Sequence, residues 1–125
     1  MTNHTILLLC GLHSLGFAIF HIGFWKLFGW PKTLASTTVA NRAILPISNI
    51  LLIGIFSGMA ALCFLIPNEL LGTRLGHILL SAMSGLWLVR FALQFVYLRV
   101  NHPLVHGLSI LFALGAALFA LPLLR

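Results

Sequence analysis

The stretch LGHILLSAMSGLWLVRFALQFVYLRV, residues 75–100, determines the class of this protein. It is an apolar run long enough to cross a bilayer as a helix, which takes about 20 residues. Arg90 lies within the run, and a guanidinium cannot lose its proton to escape an apolar environment. Its charge needs acceptors, water or a bound anion, so Arg90 is the first candidate for a functional residue.

Three further stretches satisfy the same length rule. Of the 125 residues, 61% are hydrophobic and 6% are charged, whereas a soluble domain has about a quarter charged residues. We therefore predict an all-α integral membrane protein, an antiparallel up-and-down bundle of four transmembrane helices that forms a single domain over residues 1–125. The expected spans are 6–28, 44–66, 75–100 and 104–124.

The basic residues indicate an orientation in the membrane. The net charge of +6 comes from residues scattered at span ends, not from a run typical of nucleic-acid binding. The first and third connections carry more of them than the second, where Glu69 offsets Arg74. By the positive-inside rule these two connections are cytoplasmic and both termini lie outside. The layout resembles that of many small four-span bacterial membrane proteins, so we expect the bacterial inner membrane.

The first span and the cysteines have simple interpretations. No Lys or Arg precedes the first span and no small-residue cleavage pattern follows it, so we expect a retained helix and not a signal peptide. Cys10 and Cys63 lie inside predicted spans without a second ligand cluster, and we interpret both as small packing residues.

Polar residues on three of the spans are expected at one end of the bundle. Counting inward from the aromatic residues at the span ends, a rise of about 1.5 Å per residue places His21, Asn49 and Gln94 about 5 Å inside the cytoplasmic boundary. Arg90 lies one turn deeper, on the helical stripe that also carries Trp87. The predicted ligand-binding residues are therefore His13, His21, Asn49, Trp87, Arg90 and Gln94.

Such a cationic, amide-lined site favours a non-catalytic protein that binds an anionic or carbonyl-bearing amphiphile, such as a lipid headgroup or a quinone. The alternative is that Arg90 extends to the headgroups while the amides only join helices. Enzymatic chemistry is disfavoured, because Glu69 is the only acidic residue and no nucleophile has a base at recognisable spacing.

Two other functions remain open. The first is a structural or accessory subunit of a larger membrane complex, or a homo-oligomer, that docks through Arg90 or through the small residues Gly54 and Gly58. The second is a redox carrier with b-type haem, for which His21 and His106 are weak axial candidates because they lie near the same end of the bundle. No other metal site is predicted.

Overall fold

Helices account for nearly the whole chain, and the computed structural model describes all 125 residues. Four helices are long and apolar enough to cross a membrane. The protein is therefore a small four-span helical membrane protein, which confirms the predicted all-α class. The long helices are α1 (Asn3–Ile22), α3 (Val39–Leu65), α5 (Arg74–Tyr97) and α6 (Pro103–Leu124), and the short ones are α2 (Phe24–Leu27) and α4 (Pro67–Gly72).

The ends of the long helices differ from the expected spans by several residues. Helix α1 ends at Ile22, six residues before the expected end at 28, and the chain continues through Gly23 into α2. Helix α3 begins at Val39, five residues before the expected start at 44. The hydroxyl of Thr38 accepts a hydrogen bond from the backbone N–H of Asn41 at 3.3 Å and so caps this start. Capping depends on a local hydrogen bond, which hydropathy does not register.

The connection between α2 and α3 turns sharply at Gly29. Its φ of +67° lies in the left-handed region, which glycine adopts without steric cost. Across the turn, the hydroxyl of Thr33 donates to the carbonyl of Phe28 at 2.6 Å. The guanidinium of Arg42 donates to the carbonyls of Thr37 at 2.7 Å and Ala35 at 3.3 Å. Side chains therefore satisfy three backbone carbonyls of this loop.

The chain divides into two compact units, which we describe separately. The N-terminal unit is Gly11–Ala61, and the C-terminal unit is Leu62–Arg125 together with Met1–Cys10. In the N-terminal unit, α1 and α3 run antiparallel. Phe17 lies 6.1 Å from Phe56 between ring centroids, and His21, one turn later, bonds to Asn49, about two turns earlier on α3. The phenylalanines are both buried and form part of this unit's core.

In the C-terminal unit, α5 and α6 run antiparallel and are joined by contacts along their length. The ring of Trp87 stacks on that of Phe112 at 5.7 Å. The hydroxyl of Ser84 donates to the carbonyl of Ala116 at 2.7 Å. The first ten residues attach to the same unit through the thiol of Cys10, which lies 3.2 Å from the carbonyl oxygen of Leu118.

A tight elbow joins α4 to α5. The hydroxyl of Thr73 accepts from the N–H of Gly76 at 2.9 Å and donates to the carbonyl of Glu69 at 2.7 Å. Gly76 passes so close to α4 that a Cβ on it would overlap the backbone of Leu70 and of Glu69. The start of α5 is thus defined by one capping threonine and one glycine that no larger residue can replace without movement.

Large apolar side chains cover the outer surface of every long helix. Leu12, Leu51, Leu88 and Ile110 are all more than half exposed. An exposed apolar surface of this extent would be unfavourable in water. It fits four helices whose outer faces contact lipid.

Candidate functional site

His21 and Asn49 form a reciprocal pair in the N-terminal unit. The ring nitrogen Nδ1 of His21 lies 2.7 Å from Oδ1 of Asn49, and Nδ2 of Asn49 donates to the backbone carbonyl of His21 at 2.7 Å. Because Nδ2 is the donor of the carboxamide, Oδ1 is its acceptor, and Nδ1 of His21 must carry the proton. In the neutral ring, Nε2 is then the nitrogen with the lone pair.

The pair is held by burial and by contacts with neighbouring rings. Asn49 is only 3% exposed, and His21 lies in the last turn of α1, where helix carbonyls need donors from outside the helix. The imidazole packs on Phe24, with ring centroids 4.2 Å apart, and on Phe56 at 5.3 Å. Both ring orientation and tautomer are therefore determined by neighbours.

A groove of about 510 Å³ opens beside this pair. This volume is within the range of about 300–1,000 Å³ that small-molecule sites occupy. One wall is aromatic, from Phe24, Phe28 and Trp30, and the other carries Ser48 and Asn49 from α3. We call it the His21–Asn49 groove. It combines a large apolar surface with a few polar groups, as small-molecule sites generally do.

The second polar pair is Arg90 with Gln94, in the C-terminal unit. The guanidinium of Arg90 donates to Oε1 of Gln94 at 3.0 Å, and Nε2 of Gln94 donates to the backbone carbonyl of Val105 at 3.1 Å. Gln94 is 1% exposed, so its amide links α5 to the first turn of α6 from a buried position. Arg90 itself is exposed on the surface of α5.

Aromatic and amide groups provide the acceptors for the Arg90 charge. Its guanidinium carbon lies 4.5 Å from the centroid of the Phe112 ring, a distance at which the ring face attracts a cation. Glu69 lies on α4, whose backbone approaches Gly76, and the 14 residues from Gly76 to Arg90 rise about 21 Å along α5. Neutral groups thus replace the counter-ion that the sequence lacks.

The remaining predicted residues are found in both units. Trp87 is 1% exposed and belongs to the α5–α6 core, where its ring stacks on Phe112. His13 lies on α1, half-buried, with its ring 5.0 Å from that of Phe17. The structure therefore assembles the predicted site residues as two pairs, His21 with Asn49 and Arg90 with Gln94, one in each unit. A single site formed by all six residues stays a prediction.

The placement of the candidate ligand side chains adds no support for metal or haem binding. No group of three His, Cys, Asp or Glu is placed to hold a metal ion. Of the two haem candidates, His106 bonds through Nε2 to Oδ1 of Asn101 at 2.8 Å, and His21 bonds through Nδ1 to Asn49. Haem binding stays a prediction.

The aromatic wall of the groove was not among the predicted site residues. Phe24 and Phe28 are four residues apart and so could have been placed on one side of a short helix. Trp30 was interpreted only as a residue of the membrane boundary. The sequence around Trp30 does not distinguish a tryptophan at the membrane boundary from one that lines a binding groove. Only the folded loop shows that Trp30 lines the groove.

Comparison with known proteins gives no match: no family model, no curated protein and no solved structure is significantly similar to this chain. The fold and the two polar pairs define a small multi-pass helical membrane protein. Its function must be inferred from its own residues.

Proposed function

We propose that the protein binds a carbonyl-bearing amphiphile, such as a quinone, in the His21–Asn49 groove and performs no reaction on it. The observation that supports this proposal is a groove of about 510 Å³ that is lined both by a buried, oriented carboxamide and by three aromatic side chains. A planar carbonyl headgroup needs both features, because its ring stacks on aromatic side chains and its oxygens accept hydrogen bonds.

Donors for such a headgroup come from α3. The carboxamide of Asn49 has two N–H groups, of which one donates to the carbonyl of His21. Because Asn49 and Ser48 line the groove, we assign the second N–H and the Ser48 hydroxyl as the donors to a ligand carbonyl. Because two hydrogen bonds of 2.7 Å already orient the carboxamide, little side-chain entropy is lost when the ligand binds.

The apolar part of an amphiphile would lie on the aliphatic side of the same groove. Leu45 and Leu52 line it, and the outer face of α3 beyond them carries Ile55, which is 51% exposed. A hydrocarbon tail leaving the groove along α3 would therefore remain on apolar surface. The ester carbonyls of a membrane lipid share this chemistry, and the experiment below separates the two sources.

Filling the groove tests the proposal without disturbing the His21–Asn49 hydrogen bonds. Leu52→Trp places an indole in the groove, whereas Leu51→Trp adds the same bulk at a neighbouring position that is 62% exposed and does not line the groove. Immobilised protein in mild detergent is equilibrated with a decyl-chain benzoquinone, and retained quinone is measured by absorbance. We expect saturable retention by the unsubstituted protein and by Leu51→Trp, and its loss in Leu52→Trp.

Equal retention by the two tryptophan variants would reject the groove as the binding site. Displacement of the quinone by an equal mole fraction of a diacyl lipid would identify lipid ester carbonyls as the ligand. Arg90→Leu in the same assay tests the predicted six-residue site: reduced retention would add Arg90 to it, and unchanged retention would limit the site to the N-terminal unit.

A role as a subunit of a larger assembly is the second candidate, and one observation favours it. A Cβ built on Gly54 or on Gly58 meets no atom within 4 Å. The two glycines are four residues apart on α3 and so leave a smooth strip at which another helix can approach closely. Gly54→Leu should then abolish association with a partner or second copy in native mass spectrometry. A stable single chain in mild detergent, with or without the substitution, would reject this candidate.

A further inference from the structure

A second groove lies in the C-terminal unit, where α5 ends and α6 begins. Its volume is about 280 Å³, and its lining includes Gln94, Arg99, Asn101 and His106. The groove follows Tyr97, the last residue of a candidate span. The end of a span is where lipid headgroups meet a membrane protein.

The groove has positive charge and no nearby negative charge. Arg99 is its permanent cation, and Glu69 is the only acidic residue of the chain. Helix α5, with 24 residues, separates the two, a rise of about 36 Å. At that distance salt screens the carboxylate from the guanidinium almost completely. An anion in the groove would therefore face attraction without a competing carboxylate.

The guanidinium of Arg99, two residues beyond the end of α5, is partly oriented by that helix. Its Nε donates to the carbonyl of Phe95 at 3.0 Å. The two terminal nitrogens are then the groups with donors left for a ligand, and they form a fork that matches two oxygens of a phosphate. A lysine at this position would provide charge but no fork.

The Asn101 amide, held by His106, adds an oriented donor to the groove. Nε2 of His106 lies 2.8 Å from Oδ1 of Asn101. Because that oxygen can only accept, Nε2 carries the proton, and the Asn101 amide directs its NH₂ group away from the imidazole. The Asn101 NH₂ is thus an additional donor on a residue that lines the groove with Arg99.

The buried amide of Gln94 holds the two walls together. Its Nε2 bonds to the carbonyl of Val105 in the first turn of α6, and its Oε1 accepts from Arg90. Both polar ends of a side chain that is 1% exposed are therefore engaged inside the protein. Gln94 forms a floor that keeps α5 and α6 at the spacing the groove requires.

We propose that this groove binds a phosphate group, that of an anionic lipid, between the Arg99 guanidinium and the Asn101 amide. The site is separate in its residues from the His21–Asn49 groove, and either can exist without the other. Free phosphate offers the same chemistry to these donors, so the experiment distinguishes the two sources.

The test compares Arg99, two residues beyond the end of α5, with Arg74 at the start of that helix. Arg99→Gln removes the charge in the groove, and Arg74→Gln removes an equal charge at the first residue of α5, outside it. Dioleoylphosphatidylglycerol is titrated into the purified full chain in neutral detergent, and lipid-bound species are counted by native mass spectrometry. Loss of a hydrogen bond to a charged group weakens binding about tenfold to a hundredfold, and we expect this for Arg99→Gln only.

Additional measurements distinguish a specific phosphate site from nonspecific electrostatic attraction of the lipid. Arg99→Lys should recover part of the affinity, because it restores charge but not the fork. If inorganic phosphate at millimolar concentration displaces the lipid in an Arg99-dependent way, the phosphate site holds and free phosphate is a ligand of it. Equal weakening by Arg99→Gln and Arg74→Gln, or no weakening by either, would overturn the proposal.

Discussion

Replacement of Asn49 by leucine should destabilise the N-terminal unit more than any other single polar substitution within it. The change removes both hydrogen bonds of 2.7 Å between Asn49 and His21. Hydrogen bonds between membrane helices contribute about 0.6 kcal/mol on average and about 1.7 kcal/mol at most. Two of them predict a loss of about 1–3 kcal/mol in the free energy of unfolding.

His21→Phe provides an internal comparison. A phenyl ring can keep the contacts with Phe24 and Phe56, and the substitution leaves the backbone carbonyl that accepts from Asn49. The bond from Nδ1 to Asn49 is lost while the bond from Asn49 to the His21 carbonyl remains, so we expect about 0.6–1.7 kcal/mol. Asn41→Leu is the matched control, because Asn41 is exposed on the same helix and its side chain bonds only to Thr37; its effect should remain within about 0.5 kcal/mol.

Unfolding by sodium dodecyl sulfate in mixed micelles, followed by circular dichroism, measures these free energies. The order of the losses should be Asn49→Leu, then His21→Phe, then Asn41→Leu. If Asn49→Leu costs no more than the Asn41 control, the reciprocal pair does not join α1 to α3. The orientation of the carboxamide in the groove would then lose its basis.

Two further predictions concern the C-terminal unit. Gly76→Ala should destabilise it by about 1–3 kcal/mol because the added Cβ overlaps the backbone of α4. The control is Gly85→Ala on the same helix, whose added Cβ meets no atom within 4 Å and should be neutral. Equal melting temperatures of the two variants would contradict the close approach of Gly76 to α4. Ser84→Ala removes the bond to the carbonyl of Ala116 on α6 and should cost about 0.6–1.7 kcal/mol in micelle unfolding. Ser81→Ala removes only a bond within α5, and a loss as large as that of Ser84→Ala would show that the interhelical bond contributes nothing.

The four spans were predictable because a membrane helix is recognised from the length and apolar composition of a stretch of sequence. A run of about 20 apolar residues has few alternatives to a membrane helix. The ends were less predictable. Helix α1 ends at Ile22, before its apolar run does, and Thr38 caps α3 before its apolar run begins. Backbone capping follows single residues and their hydrogen bonds, which an average over a window of sequence does not resolve.

The candidate site was predictable in its residue types but not in its assembly. Helical spacing alone put Arg90 and Gln94 on one side of α5, and they bond to each other. The partner of His21 on a distant helix could only be proposed from depth, and the structure provides the bond to Asn49. The bond from Gln94 to the carbonyl of Val105 could not be anticipated. Every residue has a backbone carbonyl, so residue type does not indicate which carbonyl accepts a hydrogen bond.

By itself the sequence determined that this protein spans a membrane four times and carries a positive charge that no carboxylate neutralises, since both follow from residue counts and spacing. The tertiary structure alone decided which acceptors Arg90 uses, which ring nitrogen of His21 carries the proton, and where aromatic and polar walls enclose a groove. The reason is physical: burial in lipid depends on summed apolar area, whereas a hydrogen bond exists only within about 3 Å of its partner and at a suitable angle, and packing sets both.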